Sequence, residues 1–101
     1  EKPADTMALL KQAREGFDKA RKFFKDLPAL ELECMVSGGR ASEALEEVDD
    51  ARKRYQEVID SPRFKESAVA REVRQRMKEM DEKGRWKTVT QIESNLRKTG
   101  P

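Results

Sequence analysis

Three stretches of the chain, each about twenty residues long, place an apolar residue at every third or fourth position. This spacing puts the apolar side chains on one face of an α-helix. Each face must be buried against another helix, so the pattern predicts an all-α fold, a small helical bundle. The three stripes are Leu10, Ala13, Phe17, Ala20, Phe24 and Leu27; Ala41, Ala44, Val48, Ala51, Tyr55 and Val58; and Ala70, Val73, Met77 and Met80.

Residues that start or stop helices divide the chain into three long helices plus one or two short ones. The first is expected to begin at Asp5 or Thr6, which can cap it, and to run to about Asp26, because Pro28 ends it at Leu27. The next is expected from residue 39 or 40 to residue 60. Ser61-Pro62 then predicts the start of a helix that reaches about residue 83. A last short helix is expected over about residues 87–98, with Thr88 and Gln91 as its capping box.

Two segments between the first two stripes are harder to interpret. Residues 28–36 alternate apolar and polar side chains like a strand, yet no second strand is present to pair with them. A short helix or an irregular arm is therefore favoured there, and the conformation stays open. Ser37-Gly38-Gly39 is typical of a loop.

The composition fits one modest domain. The 101 residues are 42% charged and 36% hydrophobic, and a chain of this length is expected to form a single helical-bundle domain over residues 1–101. Residues 1–50 carry 8 Lys/Arg against 12 Asp/Glu, whereas residues 51–101 carry 14 against 8. This uneven distribution of charge indicates either a partner of complementary charge or oppositely charged helices that face each other inside the bundle.

The chain lacks the residues that most catalytic and metal sites need. It has no histidine and only one cysteine, Cys34, and it has no phosphate-binding glycine motif. We therefore expect no enzyme activity, cofactor, metal site or small-molecule substrate. A lone cysteine forms no intrachain disulfide, which favours a reducing compartment. Cys34 itself is expected to be a small buried side chain, and no apolar run is long enough to span a bilayer.

Four carboxylates, on Glu43, Glu46, Glu47 and Asp50, follow helical spacing. Such a face is able to attract a hard cation such as Ca²⁺. No loop with converging oxygen ligands accompanies it, so a solvated outer face is the favoured interpretation.

The residues expected to bind a partner are aromatic or basic. Phe23 is adjacent to Phe24 and points away from the first stripe. Arg71, Arg74 and Lys78 line one strip of a helix, and a corner after Gly84 carries Trp86 between two cations, where binding residues often gather. The full candidate set is Phe23, Arg71, Arg74, Lys78, Arg85, Trp86 and Lys87.

These residues favour a non-enzymatic helical module that binds another protein or takes part in assembly. The alternative is an accessory domain that binds nucleic acid through the basic C-terminal half, because a cationic strip is able to follow a phosphate backbone. Trp86 has a rival interpretation as a plug at the end of the bundle. In the first stripe, Phe17→Ala is expected to cost about 3–5 kcal/mol, the usual value for emptying a buried aromatic site.

Overall fold

The computed structural model describes residues 3–82, and these form four helices and no strand. Helix α1 is Ala4–Phe23, α2 is Pro28–Ala44 and α3 is Val48–Asp60, while α4 covers residues 68–82. The predicted all-α helical bundle is confirmed. None of the helices in this part of the chain is long and apolar enough to cross a membrane. The short helix predicted over residues 87–98 lies outside the described residues.

Helix α1 begins slightly earlier than its sequence predicts. Pro3 occupies the N-cap position, and the two expected capping residues lie inside the helix, where no side chain caps it. The helix ends at Phe23, about three residues before its predicted end near Asp26, and residues 24–26 form a turn. Leu27 takes the non-helical angles φ −123° and ψ 81°, because the ring of a following proline clashes with helical geometry.

Helix α2 runs through the segment that was expected to be a loop. Residues 28–36 and Ser37-Gly38-Gly39 belong to one helix, so the predicted loop is wrong. Both glycines are buried where α3 packs on α2. A Cβ on Gly39 would lie 2.4 Å from Cε1 of Tyr55, and one on Gly38 would lie 2.7 Å from Nη1 of Arg54. These glycines provide room for a close helix contact, which offsets their cost of about 1 kcal/mol each inside a helix.

The predicted continuous helix from residue 39 or 40 to residue 60 is also wrong, because the chain turns at Leu45 and Glu46. Glu46 adopts a left-handed conformation with φ 63°. The amide of Glu46 donates to the carbonyl of Glu43, and the amide of Glu47 donates to the carbonyl of Ser42, both at 2.9 Å. This is the pairing of a Schellman helix end. Glycine usually occupies the left-handed position of a Schellman helix end. Because Glu46 occupies it here, the sequence does not predict a helix end at this point.

Helix α4 starts later than Ser61-Pro62 predicted. Residues 62–66 form turns instead, and the helix begins at residue 68. The Oγ of Ser67 accepts a 3.0 Å hydrogen bond from the amide of Ala70, as an N-cap side chain does. The N-cap of α4 is therefore Ser67, and the prediction that Ser61 starts this helix is wrong.

The hydrophobic core lies between α2, α3, α4 and the turn that precedes α4. Tyr55 and Val58 of α3 are almost completely buried, and Phe64 of the turn is 4% exposed. Val48 of the second stripe, by contrast, is 45% exposed. The buried cluster consists of Leu32, Met35, Val36, Ala51, Tyr55, Val58, Phe64, Ala70 and Val73.

Helix α1 packs against α2 but contributes no residue to this core. None of its side chains is buried. Its inward face is only half-buried, and Ala13 and Leu27 of the first stripe are exposed. Phe17 is among the half-buried residues, so the expected cost of 3–5 kcal/mol for Phe17→Ala is too large.

Candidate partner-binding surfaces

Helices α1 and α3 are joined by a ladder of ion pairs. Arg14 pairs with Asp50 at 3.5 Å, Asp18 with Arg54 at 2.7 Å, and Arg21 with Glu57. The three residues on each helix are spaced i, i+4 and i+7, so they share one helix face. The pairing order shows that α1 and α3 run parallel. Sequence analysis did not single out this ladder, although the spacing Arg-x3-Asp-x2-Arg in one segment matches Asp-x3-Arg-x2-Glu in the other.

Asp50 is the centre of the polar contacts along this ladder. Its Oδ2 accepts hydrogen bonds from the hydroxyl of Ser42 at 2.5 Å and from Nε of Arg54 at 2.7 Å. Ser42 is completely buried. The hydrogen bond from Ser42 and the charge of Arg54 hold the pKa of Asp50 below its ordinary value, against the opposing effect of burial. The carboxylate therefore stays ionised to lower pH than that of an ordinary aspartate.

The predicted acidic face does not exist as one surface. The turn at Leu45 and Glu46 separates Glu43 on α2 from Asp50 on α3. Glu47 pairs with Arg14 at 3.0 Å. No group of acidic and cysteine side chains in residues 3–82 is arranged to hold a metal ion. The interpretation as a solvated face is wrong for Asp50, which lies in the ladder, and for Glu43, which lies in a second polar cluster.

That second cluster lines an open cleft of about 490 Å³ between α2, α3 and α4. The hydroxyl of Tyr55 donates to Glu43, and Nε of Arg76 donates to the same carboxylate at 2.8 Å. Burial raises the pKa of Tyr55, and the hydrogen bond to Glu43 raises it further. Tyr55 is therefore a protonated donor that ties α3 to α2, and Arg76 ties α4 to the same point.

Phe23, the first predicted partner-binding residue, lies in an exposed apolar corner where α1 turns into α2. Its side chain is 85% exposed, and Leu27 and Leu30 in the same corner are 52% and 46% exposed. These are three of the five large exposed apolar residues in the described chain. Sequence analysis identified Phe23 but placed Leu27 in the buried stripe, because helical spacing does not show where a neighbouring helix stops covering it.

The basic strip predicted as a partner-binding site lies on the exposed side of α4. Arg71, Arg74 and Lys78 all face solvent, and Nη2 of Arg74 donates to the carbonyl of Lys65 at 2.8 Å. Arg63, in the turn before α4, donates to the carbonyl of Lys25 at 3.1 Å. The strip is thus linked through this turn to the corner that carries Phe23.

The remaining candidates, Arg85, Trp86 and Lys87, lie outside the described residues. Cys34 is half-buried rather than fully buried, and burial, together with the charge of Glu33, raises the pKa of its thiol. A raised pKa lowers the thiolate fraction at neutral pH, which makes the thiol a weaker nucleophile.

No protein-family model, curated protein or solved structure matches this chain. The function argued below therefore depends on the sequence and the geometry of residues 3–82.

Proposed function

We propose that this chain is a non-enzymatic helical module that binds another protein through the apolar corner of Phe23, Leu27 and Leu30. The observation that carries the proposal is the 85% exposure of Phe23 beside two half-exposed leucines. Exposed apolar groups that cluster on a surface are typical of protein-binding sites, and aromatic side chains dominate binding energy at such sites.

The surroundings of the corner favour a partner segment with an apolar face and acidic flanks. Lys22 is exposed in the last turn of α1, Lys25 is exposed on the turn beside the exposed Asp26, and Lys65 is exposed on the neighbouring turn. The contact of Arg63 with the carbonyl of Lys25 holds the two turns together. Complementary charges around an apolar centre guide the encounter and set the orientation of a partner.

The test compares two exposed apolar residues of α1. Phe23→Ser should abolish capture of the partner by the immobilised chain, with the melting temperature unchanged, because Phe23 makes little contact with the fold. Leu9 is 65% exposed but far along α1 from the corner, so Leu9→Ser is the matched control and should retain the partner. Capture that survives Phe23→Ser, or that both variants lose equally, would contradict the proposal.

The nucleic-acid alternative depends on the strip of Arg71, Arg74 and Lys78, which the structure leaves exposed. Exposed Glu72 on the same helix lowers its net positive charge. Fluorescence anisotropy with labelled RNA and DNA separates the two functions. Binding that is lost in Arg71→Gln and weakens steeply as salt rises from 50 to 200 mM would favour nucleic acid. For six phosphate contacts, the affinity should fall by about 10³-fold over this range of salt.

A further inference from the structure

We propose that α1 opens as a unit from a core that stays folded, and that ionic strength controls this opening through the ladder of ion pairs. The hydrophobic core consists of residues from α2, α3, α4 and the turn before α4. No side chain of α1 is buried. Parts of a protein with few buried apolar contacts open at lower free energy than the core does.

The buried and half-buried polar groups that α1 contacts keep a second partner when it leaves, whereas the exposed Glu47 and Glu57 lose theirs to water. Glu31 is 8% exposed and pairs with Arg21 at 3.8 Å, yet it also accepts a 2.6 Å hydrogen bond from Arg63. Asp50 loses Arg14 but retains Ser42 and Arg54. Removing one member of a buried ion pair is normally very costly because an unpaired charge remains. Here the opening leaves none of these buried charges unpaired.

The connection between the two helices permits the movement. The first helical hydrogen bonds of α2 run from the amides of Leu30 and Glu31 to the carbonyl of Leu27, at 3.0 Å each. They do not involve α1. Pro28 has no amide hydrogen to lose, so α1 is able to turn about Leu27 without breaking the start of α2. The movement costs the hydrogen bond that Arg63 donates to the carbonyl of Lys25.

Opening of α1 would uncover an apolar face on α2. Ala41 and Leu45 are buried, 7% and 5% exposed, yet they are not members of the core cluster. Because α1 packs against α2, we assign their burial to α1. This face is separate from the corner of Phe23, Leu27 and Leu30, although the same opening would move Phe23 relative to Leu30.

Salt should act on α1 selectively because its ladder is partly exposed. The side chains of Asp18 and Glu57 are 50% and 51% exposed, and exposed ion pairs are weakened when ionic strength shortens the screening length. The pairs that remain after opening range from Glu31, with a side chain 10% exposed, to the exposed pair of Arg52 with Asp81. The helices that these pairs join are also held together by the hydrophobic core, so salt should affect them less.

Hydrogen exchange of the full chain followed by mass spectrometry tests the proposal. Raising NaCl from 50 mM to 0.5 M should speed exchange of the α1 amides by about tenfold, the sum expected from a few exposed ion pairs. The α3 amides should change by less than about twofold. If salt speeds exchange equally in α1 and α3, the chain opens only globally. If salt changes the exchange of neither helix, apolar contacts hold α1 in place. Either result overturns the proposal.

Two variants of α1 that remove the same charge sharpen the test. Asp18→Asn deletes the pair with Arg54 and should speed α1 exchange at 50 mM NaCl several-fold. Glu15→Gln is the matched control, since Glu15 is exposed on the same helix and forms no ion pair within residues 3–82. Identical exchange in both variants would show that overall charge, rather than the ladder, sets the opening of α1.

Discussion

Helix α2 is joined to its two neighbours in different ways. Toward α3 it presents Gly38 and Gly39, and the ring of Tyr55 packs so closely that a Cβ on Gly39 would lie 2.4 Å from it. Toward α1 it meets side chains that are at most half-buried, and arginines of α1 supplement this contact. Arg14, for example, donates to Ser42 of α2 at 3.0 Å.

The contrast teaches which interactions give this small protein its stability. Close apolar packing is short-ranged and insensitive to salt, and it fails when a single methyl group is added. Ion pairs at a partly exposed seam are weak individually and depend on solution conditions. We therefore expect core variants to unfold the whole domain and α1 variants to act mainly on α1.

The largest expected difference is between two phenylalanines. Phe64 is 4% exposed in the core, so Phe64→Ala should lower the free energy of unfolding by about 3–5 kcal/mol. Phe17 is half-buried in α1, and Phe17→Ala should cost only about 1–2 kcal/mol. Urea denaturation followed by circular dichroism measures both. Equal losses would place α1 inside the core.

The close contact of α2 with α3 is expected to reject a methyl group. Gly39→Ala should lower the free energy of unfolding by about 2 kcal/mol, because overpacking a rigid core outweighs the gain in helix propensity. Tyr55 is 1% exposed and has little room to move. Thermal denaturation checks this, and a stabilised variant would show that the ring shifts freely.

Gly16 on α1 should respond in the opposite direction. A Cβ at this position would have no atom within 4 Å, so Gly16→Ala should stabilise the helix by about 0.5–1 kcal/mol through reduced backbone entropy. Helicity and the urea midpoint should both rise slightly. A destabilised Gly16→Ala would reveal a neighbour on the outer face of α1.

The smallest expected effect is on acid stability. Folding lowers the pKa of Asp50 below its ordinary value of 3.8. The ionised carboxylate therefore contributes to the free energy of unfolding above the pKa of the unfolded chain, and this contribution is lost as pH falls through the lower pKa of the folded state. Asp50→Asn should therefore lose less stability than the wild type between pH 4 and pH 2. Urea denaturation at each pH measures this, with Asp49→Asn as the control; an unchanged pH profile in Asp50→Asn would contradict the role of Ser42 and Arg54.

The helical periodicity predicted the class of fold, because apolar spacing reflects which faces are buried. It misplaced the break between α2 and α3 for two physical reasons. Gly38 and Gly39 serve close packing rather than a turn, and Glu46 occupies a left-handed position that usually carries glycine. The role of the two glycines can be recognised only once the position of Tyr55 is known. The role of Glu46 can be recognised only once the path of the chain after Ala44 is known.

The candidate surfaces were partly predictable for a related reason. Phe24 belongs to the first apolar stripe, and adjacent residues of a helix point in different directions, so the sequence indicates that Phe23 points outward. The exposure of Leu27 and Leu30 depends on where α1 ends and α2 begins in space. The ladder was readable as matched charge spacing, but only after α1 and α3 are known to be parallel.

Residue-resolved melting of the backbone amide signals by NMR tests the contrast between α1 and the core most directly. We predict two transitions, with the signals of α1 lost at a lower temperature than those of α3, and with the gap widening as salt is raised. A single transition shared by both helices at every salt concentration would contradict the account and would show that α1 is part of one cooperative unit with the core.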